Sequence, residues 1–320
     1  MNPLRQHQPR FTGLDSGHRA CQGCGEALAA RLVTEAAGPF SIAASATGCL
    51  EVFTTTYPQS AWKLPWIHSL FENAAAVAAG IEAALKAQGR DEKVLAFAGD
   101  GGTFDIGFQA LSGMLEREHN VLFVCFDNEA YMNTGIQRSS STPHAAVTTT
   151  SPSGAERFGK RHLKKDLLQI IAAHHVPYAA TASVAYPMDL REKVRIAVNT
   201  EGPTFLSVHS PCPLGWGHDS AKTVEIARLA VQTGIFPLVE FSRGKQINAM
   251  LIREPKPVSE YLKLQKRFSH LFQDTPKAGE ELHHLQELAN YHIETYALLG
   301  KSSKDSESAD TVHRGGARWG

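Results

Sequence analysis

Apolar residues recur along this chain in two rhythms. Val94–Ala98 and Val121–Phe126 are uninterrupted apolar runs, the pattern of strands buried on both faces. Ser41–Ala46, 178–183, 204–209 and Phe236–Phe241 are further strand candidates. Between them the spacing turns helical. Leu28, Leu32 and Val33 share a face of Glu26–Ala37, and Val77, Ile81 and Leu85 a face of Glu72–Gln88. Phe104, Phe108, Leu111 and Leu115 follow a glycine turn at the same spacing, and 166–174, 188–199 and 221–233 complete the helices. Strand–helix alternation of this kind predicts an α/β fold, a mainly parallel sheet in a three-layer α/β/α sandwich.

The polar stretches divide the chain. Residues 1–17 read as an irregular arm, 18–250 as one α/β domain, and 251–300 as a C-terminal extension. An amphipathic helix at 279–299, with Leu282, Leu285 and Leu288 inward, is expected to pack on a partner subunit. The Ser/Gly-rich 301–320 has no apolar face and is expected to be disordered. Residues 54–68 form a loop with Tyr57, Trp62, Trp66 and His68, broken by Pro58 and Pro65, whose aromatics either line a pocket or fill the loop's own core. Residues 133–164 form a second polar loop, of a length that is uncommon unless functional or disordered. No internal repeat is present.

Composition changes this picture little. Basic and acidic residues balance at 32 each in 320 residues, which points to neither nucleic acid nor an anionic membrane as partner. No apolar run approaches the roughly 18 residues of a membrane span. The N-terminal Met-Asn-Pro-Leu-Arg-Gln lacks the apolar core of a secretory signal, so a cytoplasmic protein is expected. Five cysteines are too few for a disulfide scaffold and suggest metal or redox use.

The chemistry concentrates at predicted strand ends. Gly99-Asp100-Gly101-Gly102 stops the strand at 94–98, and Asp127-Asn128 stops the one at 121–126. In a parallel sheet both deliver oxygen donors to the edge where ligands bind. A carboxylate and an amide oxygen suit Mg²⁺, and bare glycine backbone at a helix start suits a diphosphate. Cys21 and Cys24 form a Cys-x-x-Cys pair, while Cys49 and Cys212 each follow a predicted strand. If those strands are parallel, the four thiols reach the same edge and could hold an iron–sulfur cluster or a tetrahedral Zn²⁺. A redox dithiol at Cys21 and Cys24 is a further option. Cys125 lies within an apolar run and reads as a buried hydrophobe.

Gly-Asp-Gly followed by Asn128 resembles the signature of thiamine-diphosphate enzymes. The resemblance implies a thiamine-diphosphate-binding fold with Mg²⁺ on Asp100, Asn128 and the carbonyl of Ala130; Asp127 departs from the first Asn that many members carry. Cys-x-Gly-Cys-Gly at 21–25, Thr-Gly-Cys49, Phe-Glu-Asn-Ala-Ala-Ala-Val at 71–77, Tyr-Met-Asn-Thr-Gly-Ile-Gln at 131–137, Ser-Thr-Pro at 141–143, Pro-Cys212-Pro and Gly-Trp-Gly at 215–217 sharpen it. Together, over roughly residues 18–270, they look like the β subunit of pyruvate:ferredoxin oxidoreductase.

That likeness implies a [4Fe–4S] cluster on Cys21, Cys24, Cys49 and Cys212. It implies thiamine diphosphate against Gly48, Cys49, Gly99, Asp100, Gly101, Gly102, Asn128, Ala130, Asn133 and Thr134. Asn133 would lie over the reactive carbon and contact substrate; read without the likeness, it is a loop-capping amide. Oxidative loss of CO₂ from a thiamine-bound 2-oxo acid needs an electron acceptor, which a one-electron centre supplies and zinc does not.

One part is missing. The family places the glutamate that activates thiamine on a separate pyrimidine-binding domain, and too little chain follows residue 270 for one. Glu51 and Glu72 carry no mark of that role. Nor are there the closely spaced cysteines of a two-cluster ferredoxin. A complex is therefore expected, with an α subunit supplying the glutamate, γ and ferredoxin-like subunits, and external ferredoxin. The expected reaction joins pyruvate and CoA into acetyl-CoA and CO₂, or runs in reverse. Branched-chain 2-oxo acids or oxalate are alternative substrates. A non-oxidative thiamine decarboxylase and a zinc-stapled subunit without catalysis are alternatives of another class.

Overall fold

The computed structural model describes residues 11–154 and 158–300, so the outer part of the predicted arm and the predicted 301–320 tail lie outside the described residues. In chain order the elements are α1 (Gly25–Ala37), β1 (Ser41–Ala46), α2 (Cys49–Thr54), β2 (Trp66–Ser69), α3 (Ala74–Ala87), β3 (Lys93–Gly99), α4 (Phe108–Glu116), β4 (Val121–Asp127) and α5 (Leu167–Ala172). They continue with β5 (Tyr178–Ser183), α6 (Pro187–Asn199), β6 (Thr204–His209), α7 (Pro213–Trp216), α8 (Thr223–Gln232), β7 (Val239–Ser242), β8 (Lys245–Ala249), α9 (Val258–Leu262) and α10 (Pro276–Thr295).

The strands form one eight-stranded sheet in the order β2-β1-β3-β4-β6-β5-β7-β8. The six from β2 to β5 are parallel, and β7 and β8 are antiparallel. The apolar runs become strands because both faces are covered. Successive side chains of β3 point to opposite faces. Leu95 and Phe97 join Leu122 and Val124 under α1 and α6, while Val94, Ala96 and Ala98 join Phe123 and Phe205 under α3 and α4. α1 shows why a helix forms at that place. Cys24 caps it, Sγ accepting from Ala27 N at 3.4 Å, and Gly38 at φ 85° ends it. Its Leu32 and Val33 are buried, each worth about 1.5–3 kcal/mol relative to exposure.

The three-layer α/β/α expectation holds, with local departures. The loop predicted at 54–68 contains the edge strand β2, yet Trp62 stacks between Trp66 (5.7 Å) and Phe97 (5.9 Å) as a plug, while Tyr57 stays exposed. Glu72 precedes α3, which begins at Ala74 after Asn73. Phe104 sits in a wide turn, Gly101–Asp105, ahead of α4. Phe236 precedes β7, because Pro237 places its carbonyl on Thr181 Oγ1 (2.7 Å). β8 was not foreseen.

A third apolar cluster gathers Trp216, Tyr261, Phe268, Leu271 and Leu285, joining the C-terminal extension to the α/β body. α10 turns Leu285, Ala289 and Ile293 into this chain's own core, with Leu282 and Leu288 half-buried. Among the described residues no helix is long and apolar enough to cross a membrane.

Candidate cofactor site

β1, β3, β4 and β6 are adjacent and parallel, so their carboxyl ends share one edge. β1 leads into Thr47-Gly48-Cys49, β3 into Asp100, β4 into Asn128 and β6 into Ser210-Pro211-Cys212. The long loop predicted at 133–164 folds back over this edge. Ser139 Oγ donates to Asp100 Oδ2 (2.5 Å), Ser141 Oγ to Asp127 Oδ1 (2.6 Å) and Lys164 Nζ to Asp127 Oδ2 (2.6 Å). Its described residues are thus bonded to the carboxylates at the strand ends.

Asn128 turns Oδ1 toward the Ala130 carbonyl oxygen at 2.8 Å and toward Asp100 Oδ1 at 2.9 Å. The amide oxygen thus faces two acceptor atoms. Either the amide is turned over or a cation belongs there. On its other side Asn128 Nδ2 donates to Glu26 Oε2 at 3.3 Å, a bond the turned amide would lose. The spacing fits the cation as well, since octahedral Mg²⁺ at 2.0–2.1 Å sets neighbouring oxygens about 2.9 Å apart. Burial, and then the Asp127 charge, push Asp100 well above the usual carboxylate range, so its ionised form needs a positive partner. A cavity of about 80 Å³ opens here. It is lined by every residue expected at thiamine except Gly102, together with Glu26, Thr47, Phe71, Tyr131 and Met132. Complete small-molecule sites run to about 300–1,000 Å³, several times this volume.

A second cavity, about 150 Å³, is lined by Cys21, Cys24, Cys49 and Cys212 together. Glycine makes this convergence possible. Gly23 has φ 72°, and a Cβ there would lie 2.3 Å from Ser220 O; one on Gly25 would lie 2.7 Å from Pro211 O. Cys212 Sγ accepts from Gly215 N at 3.3 Å, as Cys24 Sγ does from Ala27 N. Burial, then the Glu26 charge, hold Cys24 up at about 12; the same two causes raise Cys49, and burial raises Cys212. Thiols so placed lose their protons only to a cationic group. Among the described residues no three His, Cys, Asp or Glu side chains form a group that could hold a single metal ion. Cys125 lies apart, fully buried in β4.

Glu26, Cys49, Asn128 and Asn133 line both cavities. Glu26 is 4 % exposed, and burial lifts its carboxyl to about 7. Sequence reasoning passed over it as the start of a helix; its place two residues after Cys24 was the available signal. Lys164 and Arg267, which brace the edge from behind, gave no such signal, while Trp216 stood out only within the Gly-Trp-Gly motif. Glu51 and Glu72 line neither cavity. A wide cleft of about 680 Å³ lies at the amino ends of the strands between opposed charges such as Arg90, Glu92, Glu201 and Arg243, remote from this chemistry.

Residues 46–208 match the family described as thiamine pyrophosphate enzyme, C-terminal TPP binding domain. The pyruvate synthase subunit PorB of Methanothermobacter thermautotrophicus is 58 % identical over 267 residues, covering 83 % of this chain and 93 % of the relative. PorB of Methanocaldococcus jannaschii is 52 % identical over 300 residues, 91 % and 98 % of the two chains. The ketoisovalerate oxidoreductase subunit VorB of Pyrococcus abyssi is 50 % identical over 264 residues, 80 % and 85 %. A solved structure of 2-oxoglutarate:ferredoxin oxidoreductase from Magnetococcus marinus, with 2-oxoglutarate, coenzyme A and succinyl-CoA bound, superposes with a TM-score of 0.56 at 19 % identity over 97 % of each chain, a likeness of fold. The chain belongs to the thiamine pyrophosphate-binding β subunits of pyruvate synthase, the PorB family of 2-oxoacid:ferredoxin oxidoreductases.

Proposed function

We propose that this chain joins the carbon chemistry to the first electron step in oxidative decarboxylation of pyruvate with CoA, giving acetyl-CoA and CO₂, or in the reverse synthesis of pyruvate. The observation that carries this is the shared wall. The converging oxygens and the four thiols lie back to back, with Glu26, Cys49, Asn128 and Asn133 between them.

Asp100 Oδ1, Asn128 Oδ1 and the Ala130 carbonyl would hold Mg²⁺ on the diphosphate. Gly99, Gly101 and Gly102 leave the backbone bare for that diphosphate; a Cβ on Gly101 would meet the Tyr131 ring at 2.5 Å. Cys21, Cys24, Cys49 and Cys212 would ligate a [4Fe–4S] cluster, with Ala27 and Gly215 N–H groups supporting two of the sulfurs. When bound, thiamine diphosphate supplies an electron sink for decarboxylation and the cluster a one-electron acceptor. Asn133 offers its amide to substrate at the junction of the cavities. An α subunit supplies the activating glutamate and the opposite wall, and γ and ferredoxin-like subunits carry electrons to external ferredoxin. The 50 % identity to a ketoisovalerate oxidoreductase subunit favours branched-chain 2-oxo acids as the second reading.

The test is anaerobic purification of the assembled complex and assay of a panel of 2-oxo acids for CoA-dependent dye reduction. Pyruvate is expected to be turned over fastest by a brown protein absorbing near about 400 nm, from thiolate-ligated iron. A colourless zinc protein, or CO₂ release independent of CoA and dye, overturns the proposal.

A further inference from the structure

The peptide that carries two of the three oxygen donors is bent against its residue type. Glu129, between Asn128 and Ala130, has φ 68°, the left-handed region that a side chain disfavours. Its surroundings hold it there. The carboxylate is buried and accepts from Lys164 Nζ at 3.0 Å and from Arg267 Nη2 at 2.6 Å. Its backbone carbonyl accepts from Thr142 Oγ1 at 2.7 Å.

Arg267 comes from outside the α/β body, in the turn Lys266–Phe272 of the C-terminal extension and beyond the 46–208 family match. Its guanidinium carbon lies 3.7 Å from the Trp216 ring centroid, and its Nε donates to Gln265 Oε1 at 2.9 Å. Trp216 Nε1 in turn donates to the Asn128 carbonyl oxygen at 2.8 Å. One cation therefore grips the donor loop twice, by its ion pair with Glu129 and through the indole beneath it.

We propose that Arg267 is a positioning residue for the divalent cation, pinning the Asn128–Ala130 peptide so that Asn128 Oδ1 and Ala130 O converge on Asp100. This rests on the reading of those oxygens as the Mg²⁺ site. It gives the C-terminal extension a task in cofactor binding. Outer partners of metal ligands are worth about 10- to 100-fold in affinity, whereas a buried ion pair serving stability alone would leave metal affinity untouched.

The test uses the assembled complex, stripped of divalent metal by chelation and titrated calorimetrically with Mg²⁺ in the presence of thiamine diphosphate. Arg267→Met keeps the stem against Trp216 and removes the donors; it is expected to raise the Mg²⁺ Kd by about tenfold. Arg267→Lys keeps the charge without the fork and is expected to fall between Met and the native residue. It serves as the reporter if the Met variant does not assemble. Asp100→Ala is the control that removes a donor itself. Native complex that binds Mg²⁺, Asp100→Ala that does not, and Arg267 variants within twofold of native would overturn the inference and leave the metal assignment standing. Native complex without Mg²⁺-dependent thiamine binding would overturn both.

Discussion

Alanine at Gly25 tests the cysteine cavity without touching a cysteine. Gly25 is the first residue of α1 and lies outside the left-handed region, so the backbone accepts a side chain. The obstacle is steric. An added Cβ would lie 2.7 Å from Pro211 O, 2.8 Å from Pro211 N and 2.8 Å from Ser210 C. All three are backbone atoms that no rotamer change can clear. Overpacking of this kind costs about 1–3 kcal/mol, against a helix gain of at most about 1 kcal/mol, for a net loss of about 1–2 kcal/mol. The relief is for the 21–25 loop to lift off Pro211, which also stretches the Gly25 N to Pro211 O hydrogen bond (3.1 Å) and carries Cys24 away from Cys212. The reference is Gly80→Ala on the exposed face of α3, where nothing lies within 4 Å of the new Cβ and about 0.5–1 kcal/mol should be gained. The assay is iron per chain after anaerobic reconstitution, with the thermal midpoint beside it. Gly25→Ala should lose both iron and a few degrees, while Gly80→Ala should keep its iron and melt slightly higher. A Gly25→Ala protein with full iron and a raised midpoint would refute the packing of this loop against Pro211.

Asp100→Ala should abolish Mg²⁺-dependent thiamine diphosphate binding, read by calorimetry, with iron per chain unchanged; retained binding would refute the oxygen assignment. Cys212→Ala should lower iron per chain, whereas Cys125→Ala, inside β4, should not; equal loss in both would mean the four ligands are wrongly chosen. His209 is fully buried against Phe236 and Trp216, with no hydrogen-bond partner among the described residues on either ring nitrogen, and burial lowers it to about 3. Unfolding therefore takes up a proton below about pH 6.5: the stability is complete above that pH and is lost as pH falls toward 3, by up to about 1.4 kcal/mol per unit. His209→Phe should flatten this acid limb in denaturant melts at pH 7 and 4.5; an unchanged slope would refute it.

The sequence was most legible where one physical rule acted alone. β4 could be read because a strand covered on both faces must be apolar at every position, and the oxygen donors because strand ends in a parallel sheet share an edge. β8 could not be read. It exposes Lys245, Gln246, Ile247 and Asn248 and is held by backbone pairing to β7, so its side chains follow solvent rather than a core. β2 was hidden directly behind Pro65, since pairing with β1 needs only main-chain groups. Asp127 stood out as a departure from the family pattern with no visible answer. The answer is Lys164 and Ser141, on a loop whose composition says only that it is polar. The Arg267–Glu129 pair was equally silent, because a buried ion pair across 138 positions leaves no local periodicity.

The distance the sheet imposes bears on what the cysteines hold. β1 and β6 are separated by β3 and β4, three strand spacings or about 14 Å. Cys49 and Cys212 start from those two ends, yet they line one cavity with the 21–25 loop, which bonds to the Pro211 turn through Gly25 N and Pro211 O (3.1 Å). A tetrahedral zinc at about 2.3 Å from each sulfur needs sulfurs about 4 Å apart. Iron per chain against zinc per chain after anaerobic reconstitution decides which of the two the four thiols take. The thiol cavity and the oxygen site share Glu26, Cys49, Asn128 and Asn133, so whichever centre the thiols take borders the site proposed for thiamine diphosphate.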